Sequence, residues 1–447
     1  MDLTNIHALT ASDAARLVGD GAISSLQLVE ACLARVRETE PAVQAWAFLD
    51  PDYALELARA ADAWRAEGRP TGPLHGVPVG VKDIIDTADM PTENGSVLHA
   101  GRTPSWDASV VSTLRAAGAI IMGKTVTTEF ATYTPGKTRN PHNAAHTPGG
   151  SSSGSAAAVA AGMVPVALGS QTNGSVIRPA SFCGVYGFKP THGLIPRHGV
   201  LSLSRTLDTM GVFARTLDDV ALLAEQLVGF DERDPDSRPR ARIPFREVAA
   251  EEPPLTPMFA LVRTSRWERA HDDTKEAFRE LAALLGDRLE EVELIQSDEA
   301  FEWHRLIMEA EMAASLDHEW GKGRDRLSDA LRTQLGRGRD VRAVDYQLAR
   351  ARSVAFAEGL TELFTQRYDA IITPAAPGEA PPSLESTGDP SFCTLWTLTG
   401  MPAITLPLMR GANGLPIGVQ LVGPRYGDAR LLRTARWLAG RVEASDP

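Results

Sequence analysis

Cysteine is scarce in this sequence: its 447 residues contain three, Cys32, Cys183 and Cys393. An odd number of widely separated cysteines excludes a disulfide framework and a zinc-binding spacing. Long apolar runs are also missing. The longest weakly polar stretch, residues 155–169, is interrupted by glycine and proline and is too short to cross a bilayer. The first residues lack the basic and apolar regions of a signal peptide. These absences predict a protein of the reducing cytoplasm that has no membrane segment.

Basic residues are in deficit as well. The chain has 45 lysines and arginines against 57 acidic residues, a formal net charge of −12. This balance disfavours a surface that binds nucleic acid or anionic membranes. The hydrophobic fraction of 43% and the charged fraction of 23% are ordinary for a globular protein. The length allows a large core.

Helix-like and strand-like segments alternate along the chain. Residues 1–70 have helical patterns, and the apolar, β-branched segment GVPVGVKDIID at 76–86 predicts a buried strand. Such alternation predicts a single α/β domain over residues 1–447, with a central mixed, twisted β-sheet covered by helices on both faces. We expect four parts: N-terminal helices at 1–70, a core that carries the motifs below at 71–230, a variable helical excursion at 231–365, and C-terminal strands and a helix at 366–447.

The stretch PGGSSSGSAAAVAAG, residues 148–162, contains no acidic, basic or aromatic residue. Within it, 150–154 matches G-x-S-x-G, the nucleophile motif of α/β-hydrolases, but no strand precedes it and no histidine follows His318. A phosphate-binding loop would need a following Gly-Lys-Ser/Thr, which is absent. Taken alone, the stretch is typical of a tight turn before a closely packed helix.

Two histidines, His142 and His146, are four residues apart, as metal ligands on a helix would be. Pro141 and Pro148 flank them, so a helix is not expected there, and no third ligand lies near them in the sequence. We therefore expect no metal site, and no other motif indicates a cofactor.

A second segment rich in glycine and serine, residues 169–193, places Ser175 after a run of small residues with available backbone N–H groups. Upstream, Lys82 ends an apolar strand. A lysine in that position is usually solvated or paired with a neighbour such as Asp83. If it is buried, desolvation lowers its pKa and the neutral amine can accept a proton. Lys82, the serines of 151–155 and Ser175 are therefore candidates for nucleophilic catalysis.

Together and in this order, residues 76–86, 149–162 and 169–193 resemble the amidase signature family, hydrolases that use a Ser–cis-Ser–Lys triad. The resemblance covers most of the chain. Three further segments give weaker support: residues 123–131, 206–216 and 400–407.

The resemblance implies a role for each of three residues. Lys82 would be the catalytic lysine, Ser175 the nucleophile and Ser151 the bridging serine, with a cis peptide bond before Ser151. We expect Ser151 to pass the proton between Lys82 and Ser175. The backbone amides of the nucleophile loop would form the oxyanion hole: Thr172, Asn173, Gly174 and Ser175.

The motifs depart from the usual family pattern at two positions. Asn173 stands where the family usually has glycine, and asparagine tolerates unusual backbone angles better than most residues. Its side chain could narrow the pocket or bind a polar substrate. Ser153 also replaces a common glycine, and its hydroxyl could join the proton network, contact the substrate or face a turn.

Arg178, three residues after the nucleophile candidate, has two interpretations. It could bind a substrate carboxylate, or it could hold the loop through a carboxylate such as Asp208. We favour the structural role. The acyl pocket is expected to include residues of the excursion, although helical methionine and tryptophan more often belong to the core. The candidates are Trp303, Met308, Met312 and Trp320.

The sequence therefore predicts a cytoplasmic serine amidase that needs neither metal nor cofactor. It would cleave a small carboxamide, aryl amide, hydrazide or urea-like compound through a seryl acyl-enzyme, giving an acid and an amine or ammonia. The expected partners are the small-molecule amide and a second copy of the chain, with no nucleic acid and no membrane. The alternative is the glutaminase subunit of a tRNA-dependent amidotransferase, because such subunits are similar to this chain over the same motifs. The intact Lys82, Ser151 and Ser175 argue against a catalytically silent binding protein.

Overall fold

A computed structural model describes residues 3–445. The strands are β1 (Trp46–Leu49), β2 (Pro78–Lys82), β3 (Ile120–Thr125), β4 (Val166–Gln171), β5 (Tyr186–Lys189), β6 (Thr209–Ala214), β7 (Phe259–Val262), β8 (Leu289–Val292), β9 (Ala370–Pro374), β10 (Ala403–Arg410) and β11 (Pro416–Val422).

The α-helices are α1 (Ala11–Gly19), α2 (Ser25–Val43), α3 (Pro51–Ala66), α4 (Ser109–Ala116), α5 (Ser153–Ala160), α6 (Ile177–Cys183), α7 (Leu217–Leu227), α8 (Phe245–Ala250), α9 (Asp272–Leu285), α10 (Ser297–Ser315), α11 (Asp317–Gly323), α12 (Asp329–Arg339), α13 (Ala343–Gln366), α14 (Thr394–Leu398) and α15 (Asp428–Glu443). Short 3-10 helices lie at Leu3–Ala8, Val97–His99, Glu129–Ala131, Ser265–Arg269, Gly286–Arg288 and Arg324–Arg326.

The strands form one mixed sheet in the order β1-β3-β2-β4-β6-β5-β10-β11-β9-β7-β8. β2 is parallel to β3 and β4, whereas β4 is antiparallel to β6 and β10 is antiparallel to β5 and β11. The predicted α/β domain with a central mixed sheet is confirmed. The segment 231–365, expected to be a helical excursion, also adds β7 and β8 to one edge of this sheet. Within residues 3–445, no helix combines the length and apolarity needed to span a membrane.

The site depends on the parallel pairing of β2 and β4. Every residue of β2 is buried, as expected for a strand covered on both faces. Since the two strands run in the same direction, their carboxyl ends lie at the same edge of the sheet. Lys82 is the last residue of β2, and Ser170 is the last but one of β4. The loop from β4 to α6 follows directly and carries Ser175.

Helix α5 packs against strand backbone at unusually short range. A Cβ added to Gly154 would lie 2.3 Å from both the carbonyl oxygen of Ala45 and the amide nitrogen of Val126. Residues 153–159 of this helix are buried. The small residues of this stretch therefore allow a close approach that a larger side chain would prevent.

This packing predicts opposite effects of alanine at two helical glycines. Gly154→Ala should lower the free energy of unfolding by about 1–3 kcal/mol, because the added methyl group meets backbone that cannot move aside easily. Gly359→Ala, in α13, meets nothing within 4 Å and should raise that free energy by about 0.5–1 kcal/mol. Urea unfolding midpoints measure both changes. A Gly154→Ala variant as stable as Gly359→Ala would contradict the packing.

Candidate active site

Lys82 is the buried amine at the centre of the site. Its side chain is 0% exposed, and its Nζ lies 2.7 Å from the Oγ of Ser151 and 2.9 Å from the Oγ of Ser170, within hydrogen-bonding distance of both. Burial lowers the pKa of Lys82 from 10.5 to about 7, although the negative charge of Asp208 acts in the opposite direction and raises this pKa. A large fraction of the amine is therefore neutral near pH 7.

Asp83, the sequence neighbour considered as a partner for Lys82, faces a different lysine. Its carboxylate lies 3.7 Å from the Nζ of Lys124, which also donates hydrogen bonds to the carbonyl of Ile85 and the hydroxyl of Thr92. Among the described residues, no carboxylate oxygen lies within ion-pair distance of Lys82. Its hydrogen-bonding partners are therefore hydroxyl groups rather than carboxylates.

The peptide bond between Gly150 and Ser151 is cis, as the family resemblance implies. The Gly150 carbonyl accepts a hydrogen bond of 2.6 Å from the Nη2 of Arg178. Gly149 has a φ of +82°, and a Cβ there would lie 2.7 Å from the Cα of Pro179. Only glycine fits at that position without strain. The loop is thus held against the start of α6.

Two further serines attach this loop to neighbouring strands. The Ser152 hydroxyl donates to the Ser170 carbonyl at 3.2 Å and lies 3.3 Å from its amide nitrogen, from which it accepts a hydrogen bond. The Ser153 hydroxyl donates to the Val126 carbonyl at 3.2 Å. Of the alternatives for Ser153, the structure therefore favours contact with backbone, since its hydroxyl is committed to a carbonyl.

The nucleophile loop turns around the side chain of Gln171. Its Oε1 accepts hydrogen bonds from the amides of Val176 and Ile177 at 2.8 and 3.0 Å. Ser175 is 8% exposed. The backbone N–H groups of 173–175 donate to no acceptor among residues 3–445. These N–H groups are consequently available to a ligand.

Asn173 connects the nucleophile loop to two other elements. Its Nδ2 donates to the Tyr133 hydroxyl at 3.0 Å, and its Oδ1 accepts from the Thr394 hydroxyl at 2.7 Å. Its carbonyl accepts from the Thr397 hydroxyl at 2.6 Å. Its φ is not positive, so tolerance of left-handed backbone does not explain this residue. The side-chain hydrogen bonds do.

Thr172 is held from two sides. Its hydroxyl donates to the carboxylate of Asp208 at 2.6 Å, and its carbonyl accepts from the Nε2 of His304 at 3.0 Å. His304 is 2% exposed, and burial lowers its pKa to about 4. The imidazole is therefore neutral at pH 7, with the proton on Nε2 that this hydrogen bond requires.

Arg178 is anchored by carbonyl groups. Its side chain is buried, and its Nε donates to the Thr387 carbonyl at 2.7 Å, in addition to the contact of Nη2 with Gly150. Asp208, the partner suggested from the sequence, instead accepts from Thr172 and from the amides of residues 203 and 204. Arg178 therefore holds the loop as expected, but it does so through backbone carbonyl groups and not through the carboxylate of Asp208.

Two adjoining cavities reach the candidate residues. One of about 20 Å³ is lined by Ser175, Arg178, Met308 and Met312, and another of about 180 Å³ is lined by Ser170. Both cavities share three lining residues: Ala131, Thr172 and Leu203. Two of the four pocket candidates from the excursion, Met308 and Met312, thus lie in the site.

The other two pocket candidates lie outside both cavities. Trp303 packs edge-to-face against Phe356, and Trp320 lies beneath the guanidinium groups of Arg324 and Arg339. Both are helical tryptophans that serve packing.

Sequence reasoning missed Ser170, Tyr133 and His304. Ser170 is a single hydroxyl within an apolar strand, and His304 is 132 residues from its partner Thr172. One signal was available for Ser170: it directly follows the apolar segment VPVALG, residues 164–169, and comes just before the nucleophile loop. No local pattern marks His304, because its role depends on how α10 packs over the loop.

Comparison with known proteins identifies the family of the chain. The family model described as Amidase matches residues 27–432. The chain belongs to the amidase signature family. Peptide amidase from Stenotrophomonas maltophilia has a similar structure, with a TM-score of 0.85, 30% identity, and coverage of 98% of this chain and 97% of that chain. A chain from a vestigial protein complex that reveals the origins of an s-triazine catabolic enzyme gives a TM-score of 0.90, at 26% identity, and covers 98% of this chain and 99% of that chain.

Curated relatives of this amidase include a glutamyl-tRNA(Gln) amidotransferase subunit from Chloroflexus aurantiacus. It is 35% identical over 486 aligned positions, which cover 96% of each chain. The corresponding protein of Salinispora arenicola is 34% identical, and the match covers 100% of this chain and 99% of that protein. These matches favour the amidotransferase alternative over the amidase that acts alone.

The expectation for partners is wrong. It restricted them to a small-molecule amide and a second copy of the chain, without nucleic acid. The curated relatives are instead subunits of an amidotransferase whose name includes a tRNA. The prediction relied on the net charge of −12. That charge bears only on direct contact, whereas in an assembly another protein can provide the surface for the nucleic acid.

The buried His304 predicts a specific acid sensitivity. Its folded-state pKa of about 4 lies below the ordinary value of 6.5, so the unfolded chain binds more protons between these values. The stability that this residue contributes is complete above pH 6.5 and is lost as the pH falls through about 4. His304→Gln, which keeps an N–H donor, should therefore lose less stability than the wild type between pH 7 and pH 4.5.

Urea unfolding midpoints across this pH range provide the measurement. The exposed His318 supplies the matched control, because His318→Gln should leave the acid sensitivity unchanged. Equal acid sensitivity of His304→Gln and the wild type would show that the imidazole is not held neutral.

Proposed function

We propose that this amidase hydrolyses a carboxamide through an acyl-enzyme at Ser175, with Lys82 as the base and Ser151 as the proton relay. The observation that carries the proposal is the buried amine of Lys82, whose Nζ lies 2.7 Å from the Ser151 hydroxyl and whose pKa is lowered to about 7. A neutral amine at this distance can accept the hydroxyl proton. A serine hydroxyl needs such a base to become an effective nucleophile.

The first half of the reaction forms the acyl-enzyme. Ser151 gives its proton to Lys82 and takes the proton of Ser175, while the Ser175 Oγ attacks the amide carbon. The carbonyl oxygen becomes an oxyanion, for which the free N–H groups of 173–175 are available donors. The tetrahedral intermediate then collapses, and the proton returns through Ser151 to the leaving nitrogen.

The second half uses water in the same way. Lys82 and Ser151 remove a proton from a water molecule, which attacks the acyl carbon, and the proton then returns to Ser175. The relay requires the two serine hydroxyls to approach each other, and no hydrogen bond joins them among the described residues. Catalytic hydrogen bonds often shorten only when substrate is bound.

We infer further that the chain is the amide-hydrolysing component of a tRNA-dependent amidotransferase and releases ammonia from glutamine for a partner protein. The support is the 35% identity to the amidotransferase subunit from Chloroflexus aurantiacus over 96% of both chains. A cytoplasmic location suits this role, and the three cysteines are buried free thiols, which suits a reducing compartment.

The role of Lys82 predicts a pH profile. Below pH about 7 the amine is protonated and cannot accept a proton, so kcat/KM should fall about tenfold for each pH unit, and above that pH it should reach a plateau. Lys82→Met should lower kcat by about 10²–10⁴-fold, the usual contribution of a general acid–base group. Ammonia release from L-glutamine measures both.

Lys189 provides a matched control for this experiment. It is also fully buried with a pKa lowered to about 7, but it donates to the Met401 carbonyl away from the two site cavities. In the Lys189→Met variant, kcat/KM should still fall as the pH decreases below about 7, as in the wild type. Near-normal turnover by folded Lys82→Met would contradict the proposed base.

The role of Ser175 as nucleophile and the assignment to an amidotransferase can be tested together. A fluorophosphonate probe should label Ser175, as mapped by mass spectrometry, and Ser175→Ala should abolish both labelling and ammonia release. In a reconstituted bacterial glutamyl-tRNA amidotransferase that lacks its own homologue of this chain, the wild-type chain should restore glutamine-dependent amidation of tRNA-bound glutamate. Labelling without restored amidation would contradict the amidotransferase assignment but leave the hydrolytic mechanism in place.

A further inference from the structure

Hydrolysis by the proposed mechanism leaves a proton on Lys82. The product is a carboxylic acid, whose pKa is close to the value of about 4.3 for a glutamate side chain. The pKa of Lys82 is about 7, so the acid gives its proton through Ser175 and Ser151 to the amine and departs as a carboxylate. Lys82 is then an ammonium ion, and it cannot act as a base again until that proton has left.

The buried position of Lys82 restricts the way out for this proton. Its side chain is 0% exposed, and among the described residues its Nζ forms hydrogen bonds with the Oγ atoms of Ser151 and Ser170 alone. In the proposed mechanism Ser151 leads to Ser175, where the next substrate must bind. Ser170 is the other partner, and its side chain leads away from Ser175.

Ser170 connects the amine with the larger of the two site cavities. It lines this cavity of about 180 Å³, whereas Lys82 and Ser151 do not. Its Oγ lies 2.9 Å from the Nζ of Lys82 and forms no other hydrogen bond within residues 3–445. A cavity of this size has room for several water molecules. The hydroxyl proton of Ser170 is therefore available to water in the cavity.

The cavity extends to the protein surface. The side chains of Arg205 and Arg233, which line it, are more than half exposed. The carboxylate of Asp208 and the imidazole of His198 also line it, and both can attract a proton. The arginines of the lining are each paired with a carboxylate, in the pairs Arg197–Asp234, Arg205–Asp236 and Arg233–Asp231.

We propose that Ser170 transfers the proton that each turnover leaves on Lys82 to water in this cavity. An N–H bond of the Lys82 ammonium breaks as a new O–H bond forms at the Ser170 Oγ. The original O–H bond of Ser170 breaks, and its proton moves to a water molecule and then to a base in solution. Lys82 is neutral again, and Ser170 is unchanged. The inference rests on the proposed hydrolysis at Ser175 and gives its base a separate route for the proton.

Loss of the Ser170 hydroxyl should slow the step that follows product release and leave the earlier steps intact. In Ser170→Ala, kcat should fall by about 10²-fold, the lower end of the usual contribution of a proton-transfer group. KM should fall in the same proportion, because kcat/KM reports the steps up to the release of ammonia. A merely structural defect would instead lower kcat/KM. The substrate is the amide that the wild type hydrolyses fastest, with L-glutamine tested first.

A small base should restore turnover in this variant. Imidazole can enter the space left by the hydroxyl and take the proton from Lys82 directly, so kcat of Ser170→Ala should rise with imidazole concentration toward the wild-type value. HEPES, a bulkier buffer base, should not restore it, and kcat of the wild type should respond to neither. Ser170→Cys, which keeps a side chain of similar size but a poor hydrogen-bonding group, should show the same loss of kcat if the alanine variant does not fold.

Ser181→Ala is the matched control. Ser181 is a fully buried serine of α6 whose hydroxyl accepts a hydrogen bond of 2.8 Å from the amide of Gly418, and it lines neither site cavity. This variant also loses a buried hydroxyl, but not one beside Lys82. It should keep the wild-type kcat and should not respond to imidazole.

Fluorophosphonate labelling distinguishes a failure of the inference from a failure of the proposed function. Labelling of Ser175 places one proton on Lys82 and requires no exit, so Ser170→Ala should be labelled at the wild-type rate. A labelling rate or kcat/KM that falls in step with kcat, an unchanged kcat, or no response to imidazole would overturn the role of Ser170 while the proposed function stands. A wild type that is not labelled and hydrolyses no amide would overturn the proposed function and the inference with it.

Discussion

The burial of a lysine amine, with no carboxylate of the described residues at ion-pair distance, is the constraint on which the site depends. Lys82 ends a strand that is buried along its whole length, and within residues 3–445 its Nζ forms hydrogen bonds with the hydroxyls of Ser151 and Ser170 alone. Desolvation then makes the neutral amine accessible near neutral pH. Because β2 and β4 are parallel, one edge of the sheet brings this amine to Ser170 and to the start of the nucleophile loop.

The small residues of 148–162 serve this arrangement. Gly149 and Gly154 allow the backbone of this stretch to approach neighbouring backbone closely. Each of the serines between them forms a hydrogen bond with a neighbouring element. Ser151 contacts the amine, Ser152 holds β4, and Ser153 holds the backbone after β3. The nucleophile loop is in turn fixed by Asp208, by the side-chain contacts of Asn173 and by His304. Helix α10 thus supports the loop through His304 and also lines the smaller cavity through Met308 and Met312.

Much of this could be predicted from the sequence. The mixed sheet followed from the alternation of apolar strands and helices, and the contact between Lys82 and Ser151 was implied by the resemblance of three separated motifs to the amidase signature family. His304 could not be predicted in the same way, because no local pattern marks it and its contact with Thr172 depends on how α10 packs over the loop. The partner expectation failed for a different physical reason: net charge describes the surface of one chain, whereas an assembly distributes its contacts among several.

The most direct test of the account is the protonation of Lys82 itself. In a chain labelled with ¹⁵N at the lysine Nζ, the resonance assigned by its loss in Lys82→Met should titrate with a pKa of about 7 in the folded wild type. A value near the 10.5 of an exposed lysine would mean that the amine stays charged at neutral pH. It could not then serve as the base, and the proposed mechanism would be contradicted.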